Sequence, residues 1–259
     1  MSSTAAAELL ADRYRAEGFV VVENVLSASQ VAVYQDECTR IVTLCEQDID
    51  QHRPRLQFEV DYLSAVDRTG MDGVIRKVEP LIDLSEPFAS LAQDPAVAGP
   101  ATAIFGEPVV LFEDKMNLKL PGGSSYPWHQ DWSCCWRAHT DQLVTCFVYL
   151  DDADETNGCL EVVPRSHLDR STCAFKDSSH FEVDPDSFDH DLIRPVPLRA
   201  GDMIVFDPYL LHFSDVNRSA APRRTIVYTY NPASLGEVNR ARFDVLPGAG
   251  GSGADNSKS

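Results

Sequence analysis

The sequence predicts a mainly β fold, a double-stranded β-helix (jelly-roll) barrel with flanking N-terminal helices. Two features point there. From Pro108 onward, short apolar and β-branched runs alternate with clusters of turn residues, while helix-compatible patterning is confined to the chain before that point. A chain of 259 residues can bury its own core and lies in the range where barrels form one domain, so residues 1–247 are expected to be a single domain with its barrel core at about 108–231.

The elements can be taken in order. TAAAELLADRYRAE, residues 4–17, has an alanine-rich start with Leu9, Leu10 and Tyr14, a helix that Gly18 stops. FVVVENVL reads as a strand and turn, and Ser27–Ser29 cap a second helix running roughly from Val31 to Asp48. Residues 84–105 are helical with an interruption around Pro95. Then come VVLFEDKMNLKL, QLVTCFVYL, CLEVV, LIRPVPL, MIVF and RTIVYTY, punctuated by PGG, DETNG, RAGD and NRSAAP. Asn157-Gly158 and Gly201-Asp202 are tight turns that belong to the fold. The 164–192 segment, polar and poor in apolar clusters, is expected to be a lid-like insertion, and GAGGSGADNSKS, residues 248–259, a flexible tail. Periodicity alone does not separate a jelly roll from another β-sandwich.

Composition narrows the function. Hydrophobic content of 44% with 9% aromatics is ordinary for a globular chain, and no apolar run approaches a membrane span. The first twenty residues contain Asp12, Arg13, Arg15 and Glu17 and lack the apolar stretch of a secretory signal, so a soluble, cytoplasmic protein is expected. A formal charge of −18 argues against nucleic-acid backbones and polyanions as partners, leaving a small-molecule substrate. Seven cysteines without a CxxC pair speak against a disulfide framework and a thiolate zinc site.

The chemistry is concentrated in YPWHQDW. His129 and Asp131 are two apart, so on an extended segment both project to one face while Gln130 points away. His212, after MIVFDPYLL, is the candidate third ligand. Two imidazoles and one carboxylate leave open positions on a cation, the arrangement that suits a non-haem iron(II) oxygenase. A lone HxD is more often surface chemistry than a ligand pair; the distal histidine in a β-rich segment, followed by an arginine on another strand, makes the pattern specific. The other histidines, His52, His139, His167, His180 and His190, lack a partner at strand spacing.

WHQDW, DETNGCLEVVPRSH, GDMIVFD and His212 followed eleven residues later by Arg223 resemble the phytanoyl-CoA dioxygenase family over roughly residues 108–231. The WHQD segment with Trp136 is also similar to the ectoine hydroxylase branch. The resemblance implies iron(II) held by His129, Asp131 and His212, 2-oxoglutarate as co-substrate, and dioxygen. The far carboxylate of 2-oxoglutarate needs a planar cationic fork in a dry pocket. Arg223 and Arg224 face opposite ways on a strand and alternation does not choose between them; the family spacing favours Arg223. Ser214 shares the face of His212 and offers a hydroxyl donor to the same carboxylate, with Thr145 and Lys119 as further candidates on neighbouring strands.

Trp132 and Trp136 are candidate substrate contacts, whereas Trp128 lies opposite His129 in alternation. Halogenases that resemble this family replace the ligand carboxylate with a small residue, so Asp131 argues against halogenation. The implied activity is a dioxygenase that oxidises a small organic molecule, with hydroxylation leading and cyclisation, desaturation or epimerisation sharing the hydrogen-abstraction step. Other classes are a zinc hydrolase, which shares the ligand set but leaves Arg223 unexplained, and a non-catalytic β-sandwich binding module, against which the intact set of HxD, distal histidine and arginine speaks.

Overall fold

The computed structural model describes residues 3–63, 70–136, 139–170 and 182–238. Helix α1 (Ser3–Glu17) ends at Gly18, whose φ of 85° few side chains tolerate and where a Cβ would lie 2.5 Å from the His167 ring. Strand β1 (Phe19–Val22) follows, and Ser27 opens α2 (Ala28–Gln47) through a capping box with Gln30. After the short α3 (Ile49–His52) come β2 (Leu56–Phe58) and β3 (Ile75–Val78). The break at Pro95 is real: α4 (Glu86–Leu91) stops before it, and Pro95 occupies the first turn of α5 (Pro95–Phe105), where its missing N–H costs nothing.

Eight strands complete the chain: β4 (Val109–Lys119), β5 (Tyr126–His129), β6 (Val144–Tyr149), β7 (Leu160–Val162), β8 (Arg194–Val196), β9 (Met203–Phe206), β10 (His212–Ser214) and β11 (Arg223–Pro232). They form two antiparallel sheets, a seven-stranded one in the order β1-β9-β6-β11-β4-β3-β2 and a four-stranded one in the order β5-β10-β7-β8. This is the expected jelly-roll layout. Strands β2 and β3 had no clear signal in the sequence, being short and separated by a long connection, yet they widen the large sheet beside β4.

Side-chain alternation gives the large sheet two buried faces. Cys146, Val148, Met203, Val205, Ile226, Tyr228 and Tyr230 pack with the helices, while Phe147, Tyr149, Ile204, Phe206 and Val227 pack with Leu160 and Val162 of the small sheet. All six residues of β6 are therefore buried. The same parity separates the two arginines. Arg224 sits on the helix side and makes a bidentate pair with Asp151 at 2.7 and 2.8 Å, whereas Arg223 goes inward with Thr225 and Val227.

Within 164–192, the described flanks carry three short 3-10 turns, and Val183 bonds to the Trp128 carbonyl at 2.7 Å. The middle of this segment and the tail at 248–259 lie outside the described residues. Cys38, Cys45, Cys146 and Cys159 are buried free thiols. No helix among the described residues is long and apolar enough to cross a membrane.

Asp114, buried on β4, accepts the backbone N–H groups of Leu81 and Ile82 at 2.5 and 2.9 Å, and burial pushes its carboxyl up to about 6. The folded state then holds this proton at a pH where the unfolded chain has released it. Stability therefore falls as pH rises from about 4 to about 6. Asp114→Asn, which keeps the acceptor oxygen, is expected to flatten that fall in urea-unfolding curves collected across this window.

Candidate active site

Strands β5 and β10 are neighbours in the small sheet, with His129 directly opposite His212. Their rings lie 4.1 Å apart between centroids. Asp131 follows just beyond the end of β5, and its Oδ1 lies 3.6 Å from His129 Nε2 and 3.9 Å from His212 Nε2. The three ligand atoms all fall within 4.8 Å of one another. His129 Nδ1 donates to the Pro127 carbonyl at 2.7 Å and His212 Nδ1 to the Leu210 carbonyl at 2.9 Å. A carbonyl only accepts, so each Nδ1 carries the proton and each Nε2 presents a lone pair to the centre.

The electrostatics suit a cation. Asp131 Oδ2 is buried and has no hydrogen-bond partner. Burial pushes the Asp131 carboxyl up, but the close approach of His129, His212 and Lys115 outweighs it and holds the group well below the usual carboxylate range. Burial, with His129 nearby, lowers His212 to about 4, which keeps the imidazole neutral and able to ligate at neutral pH.

These residues open on a cavity of about 320 Å³ between the sheets. Arg223 reaches it from β11, 3% exposed, with no salt-bridge partner among the described residues and an Nε that lacks an acceptor. Register places Lys119 opposite Arg223, and both Asn117 and Tyr149 opposite Thr225. The hydroxyls of Tyr149 and Thr225 are also buried without partners. Lys119 Nζ bonds to Ser214 Oγ at 2.7 Å, to the Ser214 carbonyl at 3.1 Å and to the Asp215 carbonyl. Burial beside Arg223 and Arg76 lowers its amine to about 6.

The other sequence candidates are placed as follows. Ser214 lines the cavity, but its hydroxyl hydrogen goes to the Gly158 carbonyl at 2.8 Å, so toward a ligand it presents a lone pair. Thr145 is fully buried against Thr229 Oγ1 at 3.3 Å and does not line the cavity. Trp136 lines it, donating from Nε1 to Glu113 at 2.9 Å. Trp132 does not; it stacks on Tyr209 with ring centroids 4.7 Å apart, because the chain turns from extended to a wide helical turn at Trp132–Trp136 and alternation ends there. Trp128 points away and packs with Phe188 and Phe213. A larger groove of about 1470 Å³ lies along α1, β1 and residues 163–169 and 187–194; Gln130 and Leu211, next to the candidate ligands in sequence, line it, and none of the triad does.

Sequence reasoning missed Glu113, Lys115 and Arg76. The first two had a signal: in FEDKMNLK every second residue from Glu113 is polar, one face of a buried strand. Arg76 had none, because β3 was not anticipated. It is 1% exposed, pairs with Glu59 at 3.3 Å, donates to the Ser125 carbonyl at 2.9 Å and stacks over Tyr126 at 3.7 Å, fixing the turn that leads into β5.

Residues 14–225 match the phytanoyl-CoA dioxygenase (PhyH) family. The chain belongs to this family. Among curated relatives, the methylphosphonate hydroxylase of Gimesia maris is 35% identical over 149 residues, covering 55% of this chain and 53% of that protein. The chain thus matches about half the length of that relative. The ectoine dioxygenase of Bordetella bronchiseptica is 27% identical over 239 residues, 84% of this chain and 73% of the relative. Among solved structures, the non-haem α-ketoglutarate-dependent epimerase SnoN from nogalamycin biosynthesis superposes with a TM-score of 0.69 at 27% identity, covering 96% of this chain and 90% of SnoN. A second SnoN structure is a complex with Fe3+, α-ketoglutarate and nogalamycin RO. The fold of this PhyH chain is that of SnoN.

Asp131→Ala is expected to abolish tight Fe(II) binding in anaerobic calorimetry. Gln130→Ala should bind Fe(II) as the parent does, while losing about 1–2 kcal/mol of stability in urea, because Gln130 Nε2 satisfies the Tyr209 carbonyl at 2.9 Å.

Proposed function

We propose that this chain is a non-haem iron(II)- and 2-oxoglutarate-dependent dioxygenase that oxidises a small organic molecule, with hydroxylation as the outcome. The observation that carries the reading is the presence in one cavity of a His-Asp-His cluster and a buried guanidinium that has no acidic partner among the described residues. Uncompensated buried charge is costly, so Arg223 calls for an anion that the described residues do not supply. A zinc hydrolase would leave it unanswered.

His129 Nε2, His212 Nε2 and the Asp131 carboxylate would hold the iron, and the orphaned Asp131 Oδ2 fits that role. Bound there with 2-oxoglutarate, iron supplies dioxygen activation and the oxidising power for hydrogen abstraction. Arg223 binds the far carboxylate of 2-oxoglutarate, assisted by the Tyr149 and Thr225 hydroxyls. Lys119, on the adjacent strand, fixes the end of β10 through Ser214 and the Asp215 carbonyl. Trp136 and Phe147 close the cavity and exclude water. Residues 1–247 act as one catalytic domain. An acidic chain with buried free thiols fits the cytoplasm and a small-molecule substrate, with neither nucleic acid nor membrane as partner.

A second outcome with the same cofactors, epimerisation, is supported by the likeness to SnoN along nearly the whole chain. The two share hydrogen abstraction and differ in whether oxygen is returned to carbon, so product mass separates them.

Anaerobic addition of Fe(II) and 2-oxoglutarate should produce the weak visible charge-transfer band of the chelate, and oxygen should then yield succinate. No band, no succinate and full activity with zinc would refute the reading. Arg223→Ala should raise the KM for 2-oxoglutarate by about tenfold or more, as expected for a charged hydrogen bond, and leave Fe(II) affinity nearly unchanged. The reverse pattern would reassign the residue.

A further inference from the structure

The cavity wall formed by β4 is graded in charge. Its inward residues are Glu113, Lys115, Asn117 and Lys119, and register sets them opposite Thr229, Val227, Thr225 and Arg223. The Lys119 end is cationic. The other end carries both signs: Lys115 Nζ donates to Glu113 Oε1 at 2.7 Å, Trp136 Nε1 donates to Glu113 Oε2 at 2.9 Å, and Lys115 Nζ lies 5.8 Å from the centre of the Trp136 ring. The Glu113 and Lys115 side chains are only 9% and 14% exposed.

Four residues of antiparallel strand separate Lys115 from Lys119, about 14 Å at the usual rise per residue. A five-carbon keto acid bound at Arg223 and chelating the metal cannot also occupy the Glu113 end. Glu113, Lys115 and Trp136 nevertheless line the same cavity as His129, Asp131 and His212. This end of the cavity is thus the place for a second molecule beside the reacting centre.

A largely buried ion pair contributes little net stability, since desolvation offsets the attraction. Facing a cavity, it offers an anion acceptor and a cation acceptor a short distance apart. The cavity is small, about 320 Å³, and the co-substrate shares it, so the second molecule must be compact.

Resting on the dioxygenase reading, we propose that Glu113 and Lys115 form the substrate-recognition subsite and that the substrate is a small zwitterion. Glu113 takes its cationic nitrogen and Lys115 its anionic group, while Trp136 covers the carbon between them. The closeness of the two residues requires the substrate charges to be only a few bonds apart, as in an amino acid or an aminophosphonate.

The test uses the full chain with Fe(II) and 2-oxoglutarate. The probes are the proteinogenic amino acids, β-alanine and 2-aminoethylphosphonate, each against the plain carboxylate or phosphonate, the amine and the alcohol of matching shape. Anaerobic melting-temperature shifts and perturbation of the chelate band report binding; succinate above the substrate-free rate reports productive placement. At least one zwitterion should bind about tenfold or more tightly than each of its charge-stripped counterparts. Glu113→Gln should remove that advantage while the plain acid binds as before, Glu113→Asp should restore part of it, and Lys115→Gln should weaken zwitterion and acid alike. A response limited to uncharged or singly charged probes, no response to any zwitterion, or zwitterion affinity unaffected by Glu113→Gln would overturn the proposal. Absence of the chelate band before any probe is added would instead refute the parent dioxygenase reading.

Discussion

The pairing of β10 with β5 is the constraint from which the site follows. One short antiparallel contact sets His212 opposite His129 although 82 residues separate them in sequence, and Asp131 comes with His129 because it is two residues further along the same strand direction. Anything that shifted this register by one residue would turn one imidazole to the outer face of the small sheet, where Leu211 and Gln130 now lie. The contacts around it hold that register. Trp128 and Phe213, which alternate with the ligands, stack with ring centroids 5.2 Å apart on the outer side. Lys119 and Ser214 tie β10 to the end of β4.

The large sheet contributes by being buried on both faces. Its helix-facing side is largely apolar, with Arg224 paired to Asp151 at one end, and its phenols are satisfied by backbone: Tyr228 and Tyr230 donate to the Phe88 and Ala92 carbonyls at 2.7 Å. Its inward face is different near the cavity, where Asn117, Tyr149, Arg223 and Thr225 keep buried polar atoms without partners. Native interiors tolerate few such atoms, and several on one wall mark a surface shaped for a polar ligand.

Much of this was readable from local chemistry. Capping at Ser27, the stop at Gly18 and the break at Pro95 depend on nearest neighbours, and strands β4, β6, β7, β8, β9 and β11 declared themselves by alternation and turn residues, whereas the short β5 and β10 did not. The HxD pair was legible because strand periodicity fixes the faces of residues two apart. What alternation alone did not supply was any relation across the sheet: which arginine faces inward depends on where the helices pack, and Arg224 is identified by Asp151 rather than by its neighbours in sequence. Trp132 was misleading for the opposite reason, since the strand ends at the residue before it. Strands β2 and β3, and with them Arg76, were hidden because three- and four-residue strands have too little pattern to read.

Both ligand histidines are oriented by a carbonyl two residues earlier in their own strand, Pro127 for His129 and Leu210 for His212. No distant side chain is needed to choose their tautomers. The candidate metal centre is in this sense self-contained: its aim is written into two short stretches of backbone. The cavity wall on β4 takes no part in that aim, so its side chains can change without turning either imidazole.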